Sequence, residues 1–332
     1  MRVRWGILST ANIGVKRVIA ALQKSEKGEV TAIASRSLTK AKSVAERLAI
    51  PKAYGSYEAL IQDVDVDAIY NPLPNHLHLP WTLAALQAGK HVLIEKPITC
   101  NAVEAEQLVQ ASRQYPHLKV AEAFMYRYHP QWSRVRTLIA DGVIGNLRSI
   151  HSWFSYCNTK MDDYRYHPEM GGGGLLDVGC YCTSVSRLLF DSEPQRLTGI
   201  IDLDPQQQVD RYASAILQFA NGVASFTCAT QMAFGQQVSI YGDRAAILIE
   251  APFIPSLQSD ARLWLLTEEG REEILIPPLD HFILQADAFN RAVLEESPLA
   301  WTVEDGWRNM RVLDAVRQSA QLGRWIDLKA AC

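Results

Sequence analysis

The stretch Val3-Arg4-Trp5-Gly6-Ile7-Leu8-Ser9-Thr10-Ala11-Asn12-Ile13-Gly14 decides how the chain folds. Val3–Leu8 reads as a strand, and Val15, Val18, Ile19 and Leu22 follow at helical spacing. A strand that turns tightly into a helix leaves backbone N–H groups pointing out of the helix N-terminus, where a phosphate is stabilised. The turn suited to a pyrophosphate has the spacing GxGxxG. In the window from Ser9 to Gly14 only the third glycine stands, and Ser9 and Ala11 replace the first two. Both are small, so close approach of a ligand to the backbone survives. The strand before and the helix after supply the context that the motif requires. Ser9, Thr10, Ala11, Asn12 and Ile13 are therefore the expected contacts of a dinucleotide.

Outward from this turn, short apolar runs keep alternating with helical patterns. Strands are expected at 30–34, 67–70, 92–94 and 119–123, with helices through Leu38 to Leu48, at 76–88 ending at Gly89, and at 103–114. Strands alternating with helices form a parallel sheet with right-handed crossovers. After about residue 146 the grammar changes. Residues 147–156 alternate apolar and polar, as a half-exposed strand does. Gly171 to Gly174 open a helical stretch at 175–190, and strand-like runs follow at 196–203, 212–219, 223–231, 237–241, 245–250, 263–266 and 273–276. Asn221-Gly222 and Gly242-Asp243 read as hairpin turns. Two helices, at 281–296 and 304–322, close the chain. The expected fold is α/β, with a parallel-sheet Rossmann domain over 1–123 and an α+β domain on a mostly antiparallel open sheet over 124–332.

Composition excludes several classes. A chain of 332 residues exceeds one ordinary core. A net charge of −3 offers no basic surplus for nucleic acid. No apolar run approaches the roughly 18 residues of a membrane span, and no export signal follows Met1. The expected location is the cytoplasm. The six cysteines, Cys100, Cys157, Cys180, Cys182, Cys228 and Cys332, form no CxxC pair and read as reduced packing thiols, with no metal site.

Ligands of open α/β sheets bind beyond the carboxyl ends of the strands. The second strand would end at Ser35-Arg36-Ser37, with Lys40 close behind, and no acidic residue lies between Val30 and Ala45. A site for NAD places a carboxylate there for the ribose 2′-hydroxyl. A guanidinium with hydroxyls suits a 2′-phosphate instead, so NADP is expected, with NAD use left open. Two further strand ends are chemically loaded. One carries Pro72, Leu73, Asn75 and His78; the other carries Glu95-Lys96-Pro97. A Glu there can accept from ribose hydroxyls, and a Lys can reach the nicotinamide and the reacting oxygen.

The chain resembles the Gfo/Idh/MocA family (glucose-fructose oxidoreductase, inositol dehydrogenase and relatives). The resemblance rests on Gly6 to Gly14, Pro74 to His78, Ala88 to Pro97, Gly142-Val143-Ile144-Gly145, Gly172 to Gly179 and Glu304-Asp305-Gly306, in order across nearly the whole chain. Where many relatives carry Asp-x-x-x-His, this chain has Asp177 and Tyr181. With Ala123 to Pro130, this looks most like the subgroup of glucose-fructose oxidoreductase, NADP-dependent D-xylose 1-dehydrogenases and dimeric dihydrodiol dehydrogenases. The resemblance implies that Lys96 lies beside the nicotinamide, that Asp177 orients substrate, and that the open sheet makes a homodimer or homotetramer.

Asp177 and Tyr181 are four apart, so a helix puts them on one face. A phenol titrates near 10, and a nearby Lys96 ammonium would lower it. A drop of ~2 units needs roughly 3 kcal/mol. Lys96, Tyr181 and Asp177 are the expected catalytic residues, with Asp177 and Tyr181 also holding substrate. Arg165 either touches the nicotinamide amide or stays exposed. Arg127 and His129 either contact a sugar or cap the start of the second domain. The expected activity is NADP-dependent hydride transfer at a carbinol carbon of a sugar or other polyhydroxylated ring, best matched by aldopyranose oxidation at C1. A sugar-ketone reductase, a trans-dihydrodiol dehydrogenase, an NAD-dependent glycosidase and a non-catalytic NADP sensor are the alternatives.

Overall fold

The computed structural model describes residues 1–328; Cys332 lies outside the described residues. Two compact units emerge, one of residues Met1–Tyr128 with Asp280–Trp307, the other of His129–Leu279 with the chain from Arg308. A division with one cut after Ala123 does not contain the return of 280–307 to the first unit.

The first unit is built on six parallel strands, β1 (Val3–Leu8), β2 (Gly28–Ala34), β3 (Lys52–Tyr54), β4 (Ala68–Asn71), β5 (His91–Ile94) and β6 (Val120–Glu122). Their order is β3-β2-β1-β4-β5-β6, so the strand order reverses next to β1. Such a reversal opens a crevice beyond the strand ends. Trp5 pairs with Val30 on one side and Ala68 on the other. The core runs through Trp5, Ile7, Ile33, Tyr70 and Leu93. Burying each such side chain contributes about 1.5–3 kcal/mol.

The helix His281–Leu294 belongs to this unit because its apolar face completes that core. Phe289 packs on the Trp5 ring at 5.2 Å. Trp5 Nε1 donates to Asn290 Oδ1 at 2.9 Å, and Asn290 Nδ2 donates to Ser25 Oγ at 2.8 Å. An indole N–H in a dry core needs such a partner.

The second unit holds nine strands, β7 (Leu147–Cys157), β8 (Arg196–Leu203), β9 (Asp210–Gln218), β10 (Val223–Ala229), β11 (Gln231–Gly242), β12 (Ala246–Ile249), β13 (Ala261–Thr267), β14 (Gly270–Ile276) and β15 (Ile326–Asp327). The order is β14-β13-β12-β11-β7-β10-β9-β8-β15. The β7–β10 pair is parallel and the other pairs are antiparallel. The fold class is thus α/β with a mostly antiparallel second sheet. Both expected hairpins form. Phe219 N donates to Gly222 O at 2.8 Å, and Gly242 N to Ala245 O at 2.9 Å.

Several elements differ from the expectation. The run 223–231 is two strands, because the chain turns at Thr230. The strand β3, the helix Tyr57–Ile61, the helix Pro130–Ala140 and β15 are not among the elements expected from the sequence. Pro130 sits at the first turn of its helix, where the missing N–H costs nothing, and His129 caps it through Nδ1.

Candidate active site

In the first unit the site is assembled at the carboxyl ends of β1, β2, β4 and β5. After β1 the helix starts at once, with Val15 N donating to Ala11 O at 3.0 Å. Ser9 adopts φ +78°, the left-handed conformation that the first glycine of the motif would supply. A non-glycine residue there stores roughly 1–3 kcal/mol of strain. Ser9 Oγ offsets part of it by accepting from Ala11 N at 3.2 Å. The turn thus keeps its shape without two of its glycines.

At the end of β2, Ser35 is buried and its Oγ accepts from Ser37 N at 3.3 Å. Ser37 caps the next helix, accepting from Lys40 N at 3.4 Å. Arg36 is left exposed. Its guanidinium acts on the Tyr57 phenol, opposing the rise in pKa that burial imposes there. Tyr57 is itself braced edge-on by Trp81 at 5.0 Å. A guanidinium, two hydroxyls and helix-start N–H groups, with no carboxylate, fit a dinucleotide bearing a 2′-phosphate.

At the end of β4, Asn71 is fully buried and bonds His78 O and the Thr82 hydroxyl. His78 is also fully buried, with ring nitrogens 2.7 Å from Leu73 O and 2.8 Å from Pro97 O. Burial pushes its pKa down to about 4 against the pull of the two carbonyls, and the ring lies between the β4 and β5 loops. Pro72, Leu73 and Asn75 are buried along the same loop. At the end of β5, Glu95 accepts from the Tyr70 hydroxyl at 2.6 Å. Lys96 follows it, half-buried. Ile98 N donates to Glu122 Oε1 at 2.8 Å. Gly306 lies against this turn: a Cβ there would stand 2.8 Å from Ile98 and 3.1 Å from Glu122. Its neighbour Asp305 takes Arg127, at 2.5 Å. Arg127 is buried between the Phe124 and Trp301 rings, and Asp305 holds its pKa up against burial. Arg127 thus has a structural partner inside the first unit.

In the second unit a separate constellation forms around Asp177, which is 4% exposed. Asp177 lies in the π-type turn Leu175–Gly179 that opens the helix Cys180–Phe190. It accepts from the Tyr156 hydroxyl at 2.5 Å and pairs with Arg165 Nε at 2.9 Å. Arg165 also pairs with Asp163 at 3.1 Å and covers the Tyr164 ring. Although burial disfavours its charge, Asp177 and the neighbouring phenols hold the Arg165 pKa well above its usual value. A buried carboxylate needs this kind of compensation. Tyr181 follows one turn later, its ring 5.4 Å from both Phe154 and Phe253. The helix is anchored by Asn309, which accepts from Thr183 and donates to Cys180 O. Cys180, Cys182 and Cys228 are buried, and burial raises the Cys182 thiol to about 12. His129 is buried at its helix cap, its pKa pushed down to about 4 by burial.

Tyr156, at the end of the alternating run 147–156, is not among the site residues expected from the sequence. Its signal lay in strand alternation: Ile150, Ser152 and Phe154 of β7 are buried, and Tyr156 shares their face. Among the described residues no helix is long and apolar enough to cross a membrane, and no cluster of three His, Cys, Asp or Glu could hold a metal.

Two family models match the chain: the oxidoreductase family NAD-binding Rossmann fold over residues 3–122, and the GFO/IDH/MocA C-terminal domain over residues 132–248. An uncharacterized oxidoreductase, ORF334, of Rhizobium meliloti is 38% identical over 97% of this chain and 98% of its own length. D-xylose 1-dehydrogenase (NADP(+)) 2 of Haloferax volcanii is 36% identical over 98% of this chain and 99% of its own. The crystal structure of KijD10, a 3-ketoreductase from Actinomadura kijaniata in complex with NADP and TDP-benzene, superposes with a TM-score of 0.92 at 32% identity, covering 96% of this chain and 98% of that one.

Proposed function

The chain belongs to the Gfo/Idh/MocA oxidoreductase family, and from that premise we propose that it is an NADP-dependent dehydrogenase oxidising C1 of an aldopyranose. The bound nicotinamide would supply the hydride acceptor. Tyr181 takes the proton of the substrate hydroxyl, Lys96 holds the negative charge developing on that oxygen, and Asp177 hydrogen-bonds the substrate. The first unit is the nucleotide-binding domain. Ser9, Thr10, Ala11, Asn12 and Ile13 hold the pyrophosphate; Ser35, Arg36, Ser37 and Lys40 take the 2′-phosphate; and Pro72, Leu73, Asn75 and Glu95 line the nucleoside end. His78 supports that loop from beneath. Arg165 acts on the Asp177 carboxylate, and Arg127 and His129 shape the substrate side through the packing described above.

The observation that carries this reading is the buried Asp177, held by Arg165 and Tyr156 one helical turn before a phenol. A buried carboxylate beside a guanidinium and a phenol is the kind of charged group that marks a functional site. A panel of aldopyranoses with NADP⁺ or NAD⁺ tests it by absorbance of the reduced nicotinamide. Rapid turnover with a pentose or hexose and NADP⁺ supports the reading; no turnover with any sugar overturns it. Arg36→Ala is expected to weaken NADP⁺ about 10- to 100-fold, the worth of a charge-assisted bond of roughly 1.5–3 kcal/mol. NAD⁺ kinetics should stay as they were. An equal loss for both cofactors would remove Arg36 from 2′-phosphate recognition.

The likeness to KijD10 favours a second reading, reduction of a keto-sugar. The same residues then work in reverse, with Tyr181 giving its proton to the new alkoxide. The protein also works in the cytoplasm as a homodimer or homotetramer. What supports association is the outer face of the second sheet, where Trp153, Ile200 and Ile216 are exposed around a depression of about 700 Å³. Apolar patches of this kind favour a partner.

A further inference from the structure

The glycine run before the Asp177 helix is gripped from two sides, and both grips lie within the second unit. On one side, Gly172 N donates to His167 O and Gly173 N to Arg165 O, each at 3.0 Å. A Cβ on Gly172 would stand 2.5 Å from Arg165 O. On the other side lies the carboxylate of Asp210, the first residue of β9, which is 7% exposed. It accepts from Leu175 N, and Gly174 N also donates to it. Gly173 has φ +107°, and a Cβ there would stand 1.9 Å from Asp210 Oδ1. Only glycine lets the chain fold over this carboxylate. The next backbone bond, Asp177 N to Gly173 O at 3.1 Å, starts the turn that carries Asp177.

We propose that Asp210 is a positioning residue whose carboxylate clamps Gly173, Gly174 and Leu175, and so fixes both Arg165 and the Asp177–Tyr181 helix. This rests on the dehydrogenase reading for the roles of Asp177 and Tyr181, though not for the clamp itself. The helix N-terminus favours a negative charge at Asp210. Burial opposes that charge and raises its pKa to about 6. Arg317 from the last helix and the Cys228 thiol from β10 are the other titratable groups facing it. Protonation puts a hydrogen on one carboxyl oxygen, removes the negative charge and so weakens the bonds from the two N–H groups.

Asp210→Asn keeps the shape and turns an amide N–H toward backbone donors. The expected result is a fall in kcat of about 10- to 100-fold, the scale of a small misplacement at a reacting centre, with unchanged binding of NADP⁺. The wild type should show an acid limb in kcat centred near pH 6, and the variant should lack it. Wild-type kcat with the limb retained would overturn the proposal. Should the variant fail to fold, hydrogen exchange on the wild type decides. The Gly174 and Leu175 amides should lose protection below pH 6 while Val185, inside the same helix, does not. Parallel behaviour of all three would overturn the clamp. If the wild type oxidises no sugar, the dehydrogenase reading falls while the exchange result still judges Asp210.

Discussion

Lys96→Met lowers kcat for sugar oxidation by about 10³-fold, while the variant folds and still retains NADP⁺. Three features of the β5 end produce this expectation. Lys96 is half-buried, so its ammonium is partly stripped of water. It follows Glu95, whose carboxylate accepts from the Tyr70 hydroxyl at 2.6 Å and from Lys96 N at 3.3 Å. It stands at the carboxyl end of β5, an inner strand of the parallel sheet, and open α/β sheets place their chemistry beyond such ends. A fixed cation at a developing alkoxide contributes in the range of 10²- to 10³-fold, or roughly 2.7–4 kcal/mol. Loss of any pull on the proton acceptor adds to this. Methionine matches the stem in length, so the packing of the turn at Ile98 should persist. Steady-state kinetics with a separate fluorescence titration of NADPH would check it. A loss confined to KM would mean that Lys96 only binds.

Tyr181→Phe is expected to lower kcat by about 10²- to 10³-fold, within the range of general acid–base groups, with KM nearly unchanged. Phenylalanine keeps the ring against the stacked Phe154 and Phe253, so stability should barely change. Removing the hydroxyl leaves the substrate proton with water as its acceptor. The residual rate should rise with pH as hydroxide takes over, whereas the wild type should level off. Urea unfolding of both proteins separates chemistry from packing. Undiminished kcat would take Tyr181 out of the proton step, and the Tyr156 hydroxyl on Asp177 would become the alternative phenol.

Much of this was legible in the residues because it is local. The β1 turn announces itself through small residues in fixed spacing, even with two glycines replaced. The surprise is that Ser9 takes the left-handed conformation itself. Asp177 and Tyr181 lie about one turn apart, as their spacing in sequence leads one to expect. What escaped depends on long separations or on weak local patterns. The strand Lys52–Tyr54 has three half-buried residues and no alternation to detect. The Pro130 helix begins at a residue usually read as a break. The Arg127–Asp305 pair joins residues 178 apart, and the Asp210–Leu175 bond joins residues 35 apart. No spacing rule connects them, because tertiary folding alone brings them together. Tyr156 was the nearer miss. Its alternation was visible, and only its partner, Asp177 on another element, was not.

The central claim is hydride transfer from a sugar carbinol carbon to NADP⁺, and deuterium tracing tests it most directly. D-xylose deuterated at C1 would be incubated with the protein and NADP⁺, and the nicotinamide product analysed by mass spectrometry. The expected product is reduced cofactor one mass unit heavier, with deuterium at nicotinamide C4 and none at C1 of the sugar product. Reduced cofactor without the label, or no reduction with this or any other C1-deuterated aldopyranose, would contradict it.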